Sequence, residues 1–479
     1  MIARIVRHDW AALRADALVW LIAAITIVAV GLGLWNGTRW VRFQQDALAL
    51  VATEERERYA TLTTEIAAQA RSGARVSPFA DPGNPSTFAG RRGVRSAGLP
   101  PAPLGAFSIG QSDLLPSSLQ VSMETRDVAT ATSEIENPSR LLVGRFDLAF
   151  VVIYLYPLLI LGLTYNLLSG EREDGTLALV LSQPVTVGTL VAAKVTVRMA
   201  LLFALIVGTA LLATAVGVLT QGAGPGLVVR AALWTLAVGA YGAVWFALAV
   251  AVISLGRASA SNATLLASAW LLLVVLVPAL LNVLVNALYP VPSRVQLVQA
   301  VREASDAANA RGSALLARYF EEHPELAGGD VAAAANDMAA IRLAVSEAVA
   351  HDVRPVLQTY ERQRQRQERL VEQARVLSPA LLMQDALNDI AGTGTARYRH
   401  FLAEVDRFQA AWRAHFSPLI VSRGRVSNLE AVPTFSYRDE EESAVVRRVG
   451  QAVIGLLIPT ALLGWLGLRR LSQYPVIGS

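Results

Sequence analysis

Six stretches without a charged residue, 17–35, 148–170, 199–229, 231–256, 258–293 and 449–468, constrain this chain more than anything else in it. Each is long enough to cross a hydrocarbon core of about 30 Å, which takes roughly 20 helical residues. No water is available there to satisfy backbone amides, so each stretch must bond within itself as a helix. The fifth is too long for one straight crossing and too short for two helices and a turn. It is read as one span at about 264–288, with a polar start at Ser259, Ser261 and Asn262 and an interfacial end at Tyr289-Pro290. The first is longer than the core of a signal peptide and lacks a small-residue cleavage site near 32–36, so it is read as an anchor. With 53% hydrophobic residues and a mean hydropathy of +0.42, the 479-residue chain reads as an integral membrane protein with sizeable polar parts.

Positive charge is unevenly shared between the short connections. Arg4, Arg7, Arg14, Arg172, Lys194, Arg198, Arg257, Arg469 and Arg470 fall on one side, and Arg230 alone on the other. That asymmetry places both termini in the cytoplasm and the two long loops outside, in a multi-pass protein of a bacterial inner membrane with a large periplasmic part. Arg39, Arg42, Arg140, Arg145, Arg294, Arg447 and Arg448 run against the rule, but they flank long translocated segments that escape it. The pI near 9.5 thus reflects arginine at membrane borders and gives no reason to expect a nucleic-acid partner. There is no cysteine, which excludes disulfides and thiolate metal sites. Lys194 is the only lysine, a bias toward arginine that fits a GC-rich bacterial genome.

The expected fold class is an all-α integral membrane protein: six transmembrane helices plus a mostly helical extracytoplasmic domain built from two insertions. The divisions are 1–35 (cytoplasmic N-terminus and first span), 36–145 (first insertion), 146–293 (spans two to five), 294–448 (second insertion) and 449–479 (last span and cytoplasmic C-terminus). In the first insertion, 38–70 continues the first span as a helix, and 71–118 turns to Pro, Gly and Ser and reads as an extended loop wrapping a neighbour or a disordered linker, with short apolar runs such as 104–109 favouring wrapping. In the second, 353–376 is a long polar helix with Pro355 in its first turn. Ser378-Pro379 then starts another helix, ended by Gly392-Thr393-Gly394, before a third over 396–416 and an extended return over 430–439.

A P-loop needs a lysine directly after glycine, and Lys194 follows Ala193, so the chain cannot itself hold ATP by that motif. Neither H-E-x-x-H nor G-x-S-x-G is present, and His8, His323, His351, His400 and His415 are scattered outside the spans. No catalytic group, metal site or cofactor is therefore expected in this chain, and it is not expected to be an enzyme. The informative segment is 171–184, which leaves the second span through Glu171, Arg172 and Glu173. Gly175 allows a turn, Thr176 precedes a short helix, and Pro184 stops it. Leu177, Val180 and Leu181 recur at i, i+3 and i+4 and so share one face. Spacing leaves two readings of that face open: a lever gripped by a soluble partner, or an interfacial helix resting on lipid.

Resemblance favours the first reading. Ser169-Gly170-Glu171-Arg172-Glu173-Asp174-Gly175-Thr176-Leu177-Ala178-Leu179, followed by Ser182-Gln183-Pro184 and Lys194, resembles the cytoplasmic signature of ATP-binding-cassette (ABC) permeases of the type 2 exporter class. Gly110-Gln111-Ser112-Asp113-Leu114, Asn137-Pro138, Gly144-Arg145-Phe146-Asp147-Leu148-Ala149-Phe150, Ser378-Pro379-Ala380-Leu381 and Asn388-Asp389-Ile390-Ala391-Gly392-Thr393-Gly394 resemble a subgroup with a large outer insert before the last span. The resemblance implies that 171–184 contains the coupling helix docking on a pair of separate ABC ATPase subunits, which bind ATP and Mg. It also implies a second permease, identical or a sister chain. Within the spans, Asn166, Asn282 and Asn286 are candidate polar sites along a path, with Asn262 and Asp147 beside them. Asn282 and Asn286, at i and i+4, share one helix face. Two other readings stand beside the exporter: a permease that works on a periplasmic partner without moving cargo between its spans, and a membrane-anchored assembly protein.

Overall fold

The structure, a computed structural model, describes residues 2–72, 80–123, 146–221, 226–290, 294–312, 338–422 and 424–475, with a few positions between 314 and 321. Asn137-Pro138, Arg140, Gly144-Arg145 and His323 lie outside the described residues. Among the described residues, six helices are long and apolar enough to cross a membrane: α2 (Ala17–Ser72), α3 (Leu148–Glu173), α5 (Val187–Gln221), α6 (Leu227–Ile253), α7 (Ser259–Leu288) and α12 (Glu442–Leu471). The chain is thus a predominantly α-helical, multi-pass membrane protein, consistent with the charge-free stretches.

At the centre stands α6, whose Trp234, Tyr241 and Trp245 are fully buried. It packs against α3, α5 and α12, and the Tyr241 hydroxyl donates to the Ile153 carbonyl at 2.9 Å. Burying such large rings supplies much of the contact area that holds spans together where lipid removes the hydrophobic drive between them. In contrast, α7 lies at the edge, with only 11% of its apolar window buried.

A helix unread in the sequence precedes the first span. In α1 (Ile2–Ala15), Asp9 and Leu13 are buried and Ile5 and Val6 half-buried, whereas Arg4, Arg7 and Arg14 are exposed. That amphipathic split seats α1 against α5, where the Arg198 guanidinium meets the Asp9 carboxylate at 2.5 Å.

Away from the termini, a lobe is built from the far half of α2, α8 (Arg294–Ala310), α9 (Met338–Ala374), α10 (Pro379–Ala391) and α11 (Thr395–Val421). Of the segment 71–118, residues 73–79 lie outside the described residues; its described part packs Phe88, Ala89 and Ala97 with residues of α2 and α11 and also forms a two-stranded antiparallel ribbon, β1 (Arg95–Gly98) with β2 (Ser118–Val121), which was not expected. Glu55 of α2 fixes the ribbon by accepting from Arg95 at 2.8 Å and from the Ser96 amide at 2.7 Å. Phe88, Phe401, Trp412 and Phe416 fill the core between ribbon and α11. Pro355 corrects an expectation. It lies inside α9 rather than in a first turn, because Val345, Val349 and Val353 pack in a cluster with Val301 and Ala308 of α8, and this burial carries the helix through the missing amide bond.

After α9 the chain turns back between the spans. Ser378 caps α10, its hydroxyl accepting from the Leu381 amide and donating to the Leu273 carbonyl at 2.6 Å. Leu273 is halfway along α7. The Leu382 side chain fills the space that a side chain on Gly455 would take, near the middle of α12. From there α10 climbs back to the level of Arg230, at the start of α6. The α9–α10 hairpin therefore reaches down to the midpoint of its two neighbouring spans.

Candidate functional site

The 169–184 segment leaves α3 at the end of the bundle that carries both termini, and three of its four charged side chains, Glu171, Arg172 and Glu173, are each bound to a different element. Lys194 of α5 donates to the Glu171 carboxylate at 2.6 Å and to the Leu167 carbonyl at 3.1 Å. Arg172 donates to the Gly256 and Arg257 carbonyls in the α6–α7 connection, at 2.6 and 3.0 Å, with its guanidinium 5.7 Å from the centre of the Tyr474 ring. Glu173 accepts from the Ser259 amide at 2.7 Å and from its hydroxyl at 2.9 Å, placing a carboxylate at the N-terminus of α7. Ser169 and Ser259 share a hydrogen bond of 2.8 Å. Such charge-assisted contacts are the strong ones, so a displacement of this segment is felt by α5, by the α6–α7 connection and by α7.

Gly175 has φ +73° with open space where a side chain would be, so it turns the chain at low cost into α4 (Leu177–Leu181). Here the structure decides what spacing could not. Leu177 is fully buried in the bundle core, and Val180 and Leu181 pack half-buried against it. The apolar face thus packs on the chain's own helices, fully at Leu177 and in part at Val180 and Leu181. What projects is Leu179, 74% exposed, flanked by Asp174, Thr176, Ala178, Ser182, Gln183 and Pro184. The sequence reading missed Leu179 because periodicity marks an apolar face, and Leu179 is the apolar residue off it.

The polar residues within spans do not form one line. Asn166 is exposed and buried Asn262 donates to the Tyr165 carbonyl at 3.3 Å, both near the 169–184 segment. Asn282 and Asn286 are exposed on α7 near its other end, bonded to each other at 3.2 Å. Among the described residues no group of histidines and carboxylates could hold a metal.

Motifs far apart in sequence meet where the lobe joins the bundle. Asp147 caps α3, its carboxylate accepting from the Phe150 and Ile109 amides, each at 2.7 Å. Ser108 donates to the Asn388 side chain at 2.7 Å. Gly110, at φ +54°, lies so close to Asn388 and Thr393 that an added Cβ would stand 2.5 Å from the Thr393 hydroxyl. Arg397 holds Asp439 through two nitrogens, at 2.8 and 3.2 Å, and donates to the Pro100 carbonyl. Burial alone would raise the Asp439 carboxyl, but the bonds and charge of Arg397 outweigh it and hold the carboxyl below the usual range. Arg448 joins Asp389 to Glu440 at 3.0 and 2.8 Å. Arg230, counted from sequence as a loop charge, is 1% exposed and ties α6 to Glu442 of α12 and to the Ile390 carbonyl of α10.

Burial pushes the Asp147 carboxyl up to about 6, from an ordinary 3.8, against the pull of its two amides. A carboxyl raised in the folded state favours folding most below its ordinary pKa, and the advantage is lost as pH rises through about 6. Relative to Asp147→Asn, the natural chain is expected to gain on the order of 1 kcal/mol between pH 7 and pH 5. Thermal unfolding of both in detergent at the two pH values checks this, and equal shifts would contradict it.

Residues 294–438, which run from α8 to just before α12, match a known family described as a domain of unknown function, DUF3526. No curated protein matches the chain.

Proposed function

We propose that this chain is the transmembrane permease subunit of an ATP-driven ABC exporter. Both termini face the cytoplasm of a bacterial inner membrane, and the lobe faces the periplasm. A separate pair of ATPase subunits binds ATP and Mg and docks on the 171–184 segment, beside a second permease that is identical or a sister chain. The observation that carries this reading is α4: a short helix seated by Leu177 on the bundle, tied by Glu171, Arg172 and Glu173 to three other elements, and presenting Leu179 outward. A part built this way passes a push at Leu179 to α5 and α7 without absorbing it. Closure of the ATPase pair would move α4, and the spans would carry that motion toward the lobe.

A second reading is favoured by the lobe junction. Arg448 pairs α12 with Asp389 of α10, Arg397 of α11 pairs with Asp439 just before α12, and Arg230 pairs α6 with Glu442 at the start of α12, so span movement would also reorient the lobe. A permease that acts on a periplasmic partner without passing cargo would use that linkage. Purification of the tagged chain from its native membrane tests the shared core of both readings. A P-loop ATPase is expected in stoichiometric amount, and its absence under mild detergent would overturn both. Uptake of cargo into sealed vesicles separates them.

A further inference from the structure

The α9–α10 hairpin descends between α7 and α12 to mid-span, and its outward face is polar where lipid should be. Glu372 and Asp385 keep 66% and 48% of their side-chain area exposed, Arg375 lies between them at 3.7 and 3.3 Å, and Gln373 and Gln384 are exposed beside them. Depth is fixed from two sides. Ser378, three residues beyond Arg375, touches the midpoint of α7, and Leu382, two residues before Gln384, touches Gly455 near the midpoint of α12. The most exposed apolar side chains lie at the turn, Val376 and Leu377 each 60% exposed, with Val371 of α9 at 38%.

Acyl chains cannot solvate that face. Charged and amide side chains at span depth face water or protein, because hydrocarbon offers them no hydrogen bonds. Arg375 is matched by two carboxylates, so the face carries no unbalanced positive charge for a lipid phosphate to neutralise. Glu372 and Asp385 need hydration, which a dry helix packed over them would remove. On α7, Asn282 and Asn286 are exposed as well, and Asn286 accepts from Gln367 of α9 at 3.4 Å, so polar groups continue along α9 toward the lobe.

We infer that the outward face of the α9–α10 hairpin is the wall of a water-filled cleft, which opens the lobe-side half of the membrane to solvent and gives a polar cargo group an aqueous exit. The inference rests on the six-span architecture and on the proposed orientation of the lobe, and it does not depend on the energy source.

The chain has no cysteine, so single cysteines can be placed in it without background. Gln373→Cys and Gln384→Cys probe the cleft. Leu462→Cys marks an apolar α12 position, 59% exposed, that faces lipid. Arg447→Cys and Ser182→Cys mark the lobe and termini sides. Intact cells, then opened membranes, are treated with a membrane-impermeant methanethiosulfonate. Gln373→Cys and Gln384→Cys are expected to react at least about tenfold faster than Leu462→Cys, since only a hydrated thiolate attacks the reagent. Reaction of both as slowly as Leu462→Cys, in opened membranes too, would overturn the cleft. Labelling of Ser182→Cys and not Arg447→Cys in intact cells would instead show the orientation to be reversed, and opened membranes still report on the cleft.

Discussion

Leu179→Asp is expected to leave the chain folded and strip it of its ATPase, while Leu177→Asp yields little folded protein. The two leucines are two residues apart on α4 and differ in every respect that matters. Leu179 is 74% exposed and touches the chain's own core hardly at all, so a carboxylate there remains in water. In a docked complex the same carboxylate would be buried without a partner. Losing an interface anchor costs about 2 kcal/mol or more, roughly a thirtyfold weaker complex. Leu177 is fully buried among spans, and a charge there loses both packing and hydration, about 3–5 kcal/mol by large-to-small substitution alone. Co-purified ATPase per chain and the monodispersity of the detergent-solubilised protein separate the outcomes. Retention of the ATPase by Leu179→Asp would show that α4 is not the contact.

Arg198→Ala should be the most damaging polar substitution on the termini side. Arg198 and Asp9 keep only 10% and 7% of their side-chain area exposed, and Arg198 also donates to the Leu163 carbonyl at 2.7 Å. Removing the arginine leaves Asp9 buried and unpartnered, which costs about 3–5 kcal/mol. Asp9→Ala with Arg198→Ala removes both charges and should recover part of that loss, because the penalty lies mainly in the orphaned charge. Thermal unfolding in detergent of the two single variants and the double variant forms the cycle. Strictly additive losses would mean that the pair does not hold α1 to α5.

What could be read from the sequence was whatever one segment decides by itself. The spans follow from absent charge, the long continuation of α2 from its composition, and the start of α10 from Ser378-Pro379, since each depends on local chemistry. What could not be read depends on neighbours. Spacing gave Leu177, Val180 and Leu181 a common face but not the direction of that face, which the bundle core decides. Pro355 argued locally for a helix start, and packing of Val349 and Val353 on α8 overrode it. Arg230 reads as a loop charge until Glu442, more than two hundred residues later, is brought beside it. The α1 pattern of Ile5, Asp9 and Leu13 was there to be found, but its polar middle residue hides an apolar stripe whose aspartate is buried by an arginine from α5. The descent of the α9–α10 hairpin has no local signature, because a polar helix entering the span region looks like any solvated helix.

The central claim is that an ATPase drives this chain through α4. The most direct measurement is vanadate-sensitive ATP hydrolysis by the complex purified from native membranes, comparing the natural chain with Leu179→Asp. Hydrolysis that copurifies with the natural chain and is lost with Leu179→Asp is the expected result. Equal hydrolysis in both preparations, or none with the natural chain, would contradict it.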